Sequence, residues 1–493
     1  MEYKNRQIIP RWLPYYRSQM VNNREKFKVM ESSDIEVENY RKLINDWEQN
    51  KSISFAIQLL ATSDILGFKD TKEYTDVVSY IKNKKGEVDN NILLKDFFDE
   101  DELNSTDQKD FKEQSIIKSV KEIKLKILDN YRDAILWVDL AYFHCMLGNI
   151  KKAEKYIRIA LNMNNYNSYI VRSAARFYIF NNDPEQALKV LRKSPNLLIN
   201  PMILSSEIAI SEAFDFKSRF VKKGQSLLYD SNFSQGKLSE LNATIGTLEY
   251  NNGNIKNSKR YLNSALSNPN ENTLAQIQFL YEKRNIDFSA FEYDVPFKFE
   301  ADTWAYYYNH RYRDTVIESE RWHIFQPISS KPVILNSFIR GAFFDEHKEA
   351  VEIIDEVLKL KPNDIDLLNN KAFSLAKLNN ISEAMECLNK IEKIGNYDLS
   401  KTDNITSKLV VKATLGLIQY CSKNDDIGRK FYQEATDGFN RNKDFTHEAR
   451  ALYYWHIEEK KYKPKEAEKI RLRSEMLANQ YNIHEVKMLL NKK

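Results

Sequence analysis

Pairs of arginine and histidine are the residues of this sequence whose types and spacing could do chemistry. Three pairs share a similar spacing: Arg441 with His447, Arg340 with His347, and Arg450 with His456. In such a pair both side chains would serve the phosphodiester bond of an RNA during cleavage, since arginine binds phosphate and histidine transfers protons. Because the chain has 7 histidines and many arginines, chance accounts for about one such pair, and three is a mild excess.

Other catalytic signatures are absent from the sequence. It has no G-x-x-x-x-G-K-[ST] phosphate loop, no G-x-G-x-x-G after a strand, no H-E-x-x-H zinc helix and no G-x-S-x-G nucleophile turn. The Arg–His spacing resembles the R-x4-6-H signature of HEPN-type helical ribonucleases, which form a helical domain of their own. Each pair here lies instead in a repeat pattern that packing explains. We therefore expect a non-catalytic protein without catalytic residues, cofactors or metal ligands, and keep an HEPN-like ribonuclease as an alternative.

Composition and charge favour a helical, cytoplasmic protein. The 493 residues include only 12 glycines and 11 prolines, too few for a protein of turns and short strands. Lys and Arg total 74 against 70 Asp and Glu, so the net charge of +4 does not indicate a nucleic-acid partner. The sequence starts without an apolar signal core and contains no long apolar run, so we expect no membrane segment. Cys145, Cys387 and Cys421 are far apart within apolar helical patterns, which is typical of reduced, buried thiols.

Small residues recur at fixed places in the stretch LAYFHCMLGNIKKAEKYIRIALNMNNY. In a 34-residue frame that begins at Ala134, positions 8, 20 and 27 are occupied by Ala141, Ala153 and Ala160. This spacing resembles the tetratricopeptide repeat (TPR) of the prokaryotic type. The resemblance implies a helix–turn–helix unit whose small residues allow close helix crossings, with Gly148 in the turn. It also implies that successive units stack into a solenoid.

The same frame recurs along the chain. Further frames begin at Ser168, Ser239, Lys331 and Ile365, and looser ones begin near Leu409 and Glu448. Seven units with a shared spacing predict an all-α fold, an α-solenoid of TPR-like helix–turn–helix repeats with a divergent helical N-terminal region.

Two regions depart from the repeat pattern and set the predicted domain boundaries. Residues 1–130 are predicted to form the divergent helical region, in which Trp12 lies between Pro10 and Pro14. Residues 131–272 are assigned to TPR-like repeats, and residues 273–330 to an aromatic-rich divergent segment. Residues 331–493 are assigned to further repeats with a C-terminal capping helix pair.

The aromatic-rich segment is the richest candidate for a binding surface. Its candidate partner-binding residues are Tyr307, His310, Arg311, Arg313 and Trp322. Aromatic rings and arginines could stack on bases or bind a peptide. The same rings could equally fill the gaps between divergent repeats, and this packing interpretation is favoured.

The resemblance to TPR proteins implies a groove lined by the first helix of each repeat. By register, Tyr142 would line it in the first repeat, with Asp139 beside it, and Asn369 and Phe373 would line it in the best-matching repeat. We expect an interaction scaffold or adaptor that binds a partner protein, a peptide or its own N-terminal segment there. A ligand- or peptide-sensing regulator is an alternative. The richness in Lys, Asn and Ile is typical of a low-GC bacterial genome, where such a protein could serve a multi-protein system such as antiviral defence.

Overall fold

The computed structural model describes residues 11–15, 34–53, 55–56, 59, 63, 68, 71–84, 111–230, 232–284, 288–394 and 402–491. Every regular element in these residues is helical. Contacts divide them into an N-terminal unit up to residue 232 and a C-terminal unit from residue 233.

The N-terminal unit contains helices α1 (Asp34–Gln49), α2 (Lys72–Asn83), α3 (Phe111–Asp129), α4 (Ala134–Met146), α5 (Ile150–Met163), α6 (Ser168–Phe180), α7 (Pro184–Lys193), α8 (Pro201–Ala213) and α9 (Val221–Leu227). Helices α1 and α2 share a small core of their own, with Tyr40 and Trp47 packed near Val77 and Ile81.

The C-terminal unit contains helices α10 (Gln235–Asn251), α11 (Ile255–Ala265), α12 (Glu271–Arg284), α13 (Phe299–Tyr308), α14 (Tyr312–Phe325), α15 (Lys331–Phe343), α16 (His347–Leu358), α17 (Ile365–Lys377), α18 (Ile381–Lys393), α19 (Thr402–Cys421), α20 (Asp425–Arg441), α21 (Phe445–Glu459), α22 (Pro464–Gln480) and α23 (His484–Leu490). A short 3-10 helix, Ala290–Glu292, precedes α13.

Helical hairpins are the repeating unit of both parts. Each first helix packs on the helix that follows it, as α4 does on α5, and first helices of neighbouring hairpins also lie side by side, as α4 does with α6. The predicted small positions Ala141, Ala153 and Ala160 are fully buried, which confirms the close crossings expected of a TPR-like repeat. The chain is therefore an all-α solenoid of TPR-like hairpins.

Several hairpin turns contain a residue in the left-handed conformation. Gly148 has φ +74° and Gly253 has φ +81°, as Gly permits without cost. Asn182 and Asn379 adopt it with φ +59° and +62°. Asparagine tolerates this conformation better than most residues, so these turns still end their helices sharply.

The aromatic-rich segment also forms a hairpin of this kind, made of α13 and α14. His310 lies at its turn with φ +59°, and the Arg311 amide donates to the Tyr306 carbonyl oxygen at 2.9 Å. The turn of α4 and α5 has the matching bond, from the Asn149 amide to the His144 carbonyl oxygen at 2.9 Å. The segment that departs from the repeat in sequence therefore keeps its local geometry.

The C-terminal unit curls tightly enough for distant first helices to meet. Helices α15, α17, α19 and α21 follow one another side by side. Tyr454 of α21 nevertheless reaches α15, where its hydroxyl donates to the Ala342 carbonyl oxygen at 3.1 Å. Its ring also lies 5.1 Å from that of Phe373 on α17. Side chains of the unit itself therefore fill the inner face between α15 and α21.

None of the described helices is long and apolar enough to cross a bilayer. The three cysteines are free thiols, with Cys145 and Cys387 buried and Cys421 half-buried. Burial raises the pKa of the Cys387 and Cys421 thiols, so both are less reactive than an exposed thiol.

Candidate peptide-binding groove

The inner face of α4 and α6 is the candidate site, and we call it the N-terminal groove. It is lined by Asp139 and Tyr142 from α4 and by Tyr169 and Phe177 from α6. The side-by-side packing of these two first helices brings the four side chains to one face.

Residues 11–15 of the chain, the N-terminal segment, lie in this groove. Trp12 is only 2% exposed and contacts two groove rings edge to face. Its ring centroid lies 5.4 Å from that of Tyr142, at an angle of 80°, and 6.0 Å from that of Phe177, at 87°. The two rings thus form an aromatic pocket for one large side chain.

Main-chain hydrogen bonds fix the rest of the segment. The Tyr15 amide donates to Asp139 Oδ1 at 2.9 Å. The Tyr169 hydroxyl lies 2.7 Å from the Leu13 carbonyl oxygen and 2.8 Å from Asp139 Oδ1, and its single hydrogen serves one acceptor at a time. The groove therefore offers both an acceptor and a donor to the backbone of a short segment in which residues 11–14 are non-helical and Tyr15 is helical.

The charge and protonation states of Asp139 and Tyr169 suit hydrogen bonding to the main chain of a bound segment. Asp139 is fully buried, so its carboxylate makes strong bonds to the donors that reach it. Burial, followed by the neighbouring Asp139 carboxylate, raises the pKa of Tyr169 well above its ordinary value. The Tyr169 hydroxyl therefore stays protonated at neutral pH and remains a donor.

Tyr142, predicted to line a groove, is buried, and its ring contacts that of Trp12. Asn369 and Phe373 were predicted to line a groove in the best-matching repeat. The structure places Asn369 among buried residues, and the Phe373 ring 5.9 Å from His347 and 5.1 Å from Tyr454. The curl of the C-terminal unit therefore surrounds Phe373 with side chains of its own chain.

Two candidates of the aromatic-rich segment contact the last helix of the C-terminal unit. The Tyr307 hydroxyl donates to Glu485 Oε2 at 3.2 Å, and the His310 ring stacks on that of His484 with 4.0 Å between centroids. Glu485 also pairs with the half-buried Arg450. Burial alone would raise the pKa of Glu485, but Arg450 more than offsets this, so the carboxyl stays ionised.

The remaining three candidates differ in exposure. Arg311 is exposed and pairs with Asp314 at 2.8 Å. Arg313, also exposed, pairs with Glu346 and lies over the Phe344 ring, 3.7 Å from its centroid. Trp322 is 1% exposed within the core that joins α14 and α15.

The two side chains of the first Arg–His pair differ in burial and in their contacts. His447 is buried, stacks on Phe439 at 5.5 Å, and has Nδ1 2.8 Å from Asp444 Oδ1. Burial lowers the pKa of His447 to about 4. Arg441 is exposed, and its Nε donates to the Asp437 carbonyl oxygen at 3.3 Å.

The arginines of the other two pairs bind carboxylates of the chain itself. Arg340 pairs with Glu320 and with Glu346, each at 2.5 Å. Arg450 pairs with Glu485 inside the C-terminal unit. No group of three or more His, Cys, Asp or Glu side chains within the described ranges is arranged to bind a metal ion.

Sequence reasoning missed Trp12, Tyr169 and Phe177 as groove residues. The signal for Trp12 was present, because Pro10 and Pro14 flank it and favour an extended chain. Tyr169 falls at position 2 of its frame, which the register assigns to the groove. Nothing in the sequence, however, pairs residue 12 with residues more than a hundred positions away.

No protein-family model and no curated protein matches the sequence. Solved structures similar to the chain include that of yeast Tom70, at 11% identity and a TM-score of 0.33, covering 77% of this chain and 92% of that chain. The human IFIT1 dimer with PPP-AAAA has 11% identity and a TM-score of 0.34, covering 91% and 96%. The P58(IPK) TPR domain has 14% identity and a TM-score of 0.24, covering 82% and 98%.

Proposed function

We propose that the chain is a non-catalytic interaction scaffold or adaptor that binds a short segment of a partner protein in the N-terminal groove. One observation carries the proposal: five residues of the chain lie there as a peptide ligand would, with a buried tryptophan and main-chain hydrogen bonds to Asp139 and Tyr169. Main-chain bonds supply affinity for any such segment, and the aromatic pocket supplies selectivity.

We further propose that this scaffold acts in a bacterial cytoplasm. The richness in Lys, Asn and Ile supports a bacterial, cytoplasmic protein with TPR-like repeats of the prokaryotic type. Within a bacterial cell, a groove for peptide segments suits a component of a multi-protein system such as antiviral defence. If binding in the groove also changed the path of the helices, the chain would act as a peptide-sensing regulator.

The ribonuclease alternative has a direct test. An Arg441→Ala, His447→Ala double variant would abolish RNA cleavage by a catalytic pair. Because His447 is buried and stacked on Phe439, we expect no cleavage by the unmodified protein and only a loss of stability in the double variant.

The scaffold proposal is tested by affinity capture from the native host. The tagged full chain is recovered with and without nuclease treatment, and bound proteins are identified by mass spectrometry. Tyr142→Ala removes one wall of the aromatic pocket, and Tyr169→Phe removes only a hydroxyl. Arg158→Ala, at an exposed position of α5 that pairs with Glu154, is the matched control.

A nuclease-resistant partner in stoichiometric amounts is expected with the unmodified protein and the control. Its yield should fall with Tyr169→Phe and be lost with Tyr142→Ala. Recovery of nucleic acid alone, or of a partner whose yield is equal in all four proteins, would contradict a role for this groove.

A further inference from the structure

The N-terminal segment shows which chemistry the groove selects. Trp12 occupies the aromatic pocket, Leu13 presents its carbonyl oxygen to Tyr169, and Pro14 is buried next to it. Tyr15 closes the segment with its amide on Asp139 and its ring 5.9 Å from that of Tyr169. Each contact belongs to a residue of the sequence WLPY, so the groove fits Trp, one residue, Pro and an aromatic residue in that order.

The same contacts leave the groove occupied. Tyr142, Phe177 and Asp139 are each buried, and the segment supplies contacts that cover them. A partner segment that binds the same side chains therefore has to displace residues 11–15 first. Because this segment belongs to the same chain as the groove, it competes by an intramolecular reaction that dilution does not weaken.

Resting on the proposed function, we infer that residues 11–15 are a built-in competitor, and that the partner of the N-terminal groove presents a segment of the form Trp-x-Pro-aromatic that displaces them. The free protein is then self-occupied. Only a partner with this chemistry, at sufficient concentration or carrying further contacts, opens the groove.

Binding of a peptide in trans tests this competition. The probe is a fluorescein-labelled peptide of residues 8–16, IIPRWLPYY, measured by fluorescence anisotropy against the full-length chain. Trp12→Ala removes the main anchor of the tethered segment and leaves the groove itself intact. If the segment occupies the groove in about nine of ten free molecules or more, its removal predicts at least a tenfold gain in peptide affinity.

A second variant weakens the tethered segment without removing a buried side chain, so a gain in peptide affinity cannot be due to a loss of folded structure. Tyr15→Asp changes a residue that is 40% exposed and places a carboxylate beside Asp139, which weakens the tethered segment by charge repulsion. It should raise affinity for the peptide about threefold or more. Tyr142→Ala added to Trp12→Ala should abolish binding, and a peptide with alanine in place of tryptophan should bind none of the proteins.

Equal peptide affinity in the unmodified protein and in both single variants would overturn the inference, as would absence of binding to a folded Trp12→Ala or Tyr15→Asp protein. This outcome is separable from failure of the proposed function. A host partner that depends on Tyr142 but not on Trp12 would leave the scaffold standing and remove the competitor. If the peptide competes with the N-terminal segment but no host partner is found, the competitor stands and the scaffold proposal fails.

Discussion

Replacing Trp12 with alanine removes the largest side chain that the N-terminal segment places in the groove. A buried tryptophan covers about 200 Å² of mostly apolar surface, which at about 25 cal/mol per Å² is worth roughly 5 kcal/mol. The two edge-to-face ring contacts add about 0.5–1.5 kcal/mol each. Since Trp→Ala substitutions at buried positions usually cost about 3–5 kcal/mol, we expect Trp12→Ala to lower the stability of the bound segment by that amount.

Amide hydrogen exchange of the full chain measures the loss of local stability in the N-terminal segment and in the helices that it contacts. The two units of the chain need not unfold in one transition, so a single denaturation midpoint would mix their responses. Exchange at the Tyr15 amide and in α4 and α6 should accelerate in Trp12→Ala. Tyr15→Ala, at a position 40% exposed, is the matched control and should cost about 1 kcal/mol.

A double-mutant cycle of Trp12→Ala and Tyr142→Ala measures the free energy of the contact between the two rings, apart from other effects of each substitution. The coupling between Trp12 and Tyr142 should be about 1 kcal/mol, as for other edge-to-face pairs. The reasoning would be refuted if Trp12→Ala and Tyr15→Ala had equal effects below about 0.5 kcal/mol, or if the cycle gave no coupling.

Further predictions concern the C-terminal unit. Lys423→Gly and Lys443→Gly, at φ +62° and +57°, should each raise the free energy of unfolding by about 0.5–1 kcal/mol, seen as a higher melting temperature. Gly428→Ala should lower it by roughly 1–3 kcal/mol, since the added Cβ would lie 2.6 Å from Tyr420 Cδ2. Burial lowers the pKa of His447 to about 4, against 6.5 for a free histidine. As pH falls, His447 therefore binds a proton in the unfolded chain before it does so in the folded chain. Stability should therefore drop by about 3 kcal/mol between pH 6.5 and 4, and His447→Gln should flatten that part of a urea-denaturation profile.

The hairpins could be predicted because their signals are local. Ala141, Ala153 and Gly148 occupy fixed positions within one repeat, and close crossings and sharp turns need small residues there. The hairpin around His310 was harder to see, since histidine in the left-handed conformation replaces the usual Gly or Asn. Its turn geometry is nevertheless the same.

The groove could be predicted only in part, because it depends on contacts distant in sequence. Register placed Tyr142 on an inner face, and the structure gives it the partner Trp12. Register placed Phe373 likewise, but the curl of the solenoid brings Tyr454 against it. That curl accumulates from small rotations between hairpins, which no single repeat sequence specifies.

Photo-crosslinking from position 15 tests the central claim most directly. A p-benzoylphenylalanine replaces the exposed Tyr15 in the full chain, and crosslinked peptides are identified by mass spectrometry before and after addition of the IIPRWLPYY peptide. The account predicts crosslinks to α6 around Tyr169 in the free protein, where the two rings lie 5.9 Å apart, and their loss as the peptide is added. Crosslinks that avoid α4 and α6 in the free protein, or that persist unchanged at saturating peptide, would contradict a groove occupied by its own N-terminal segment.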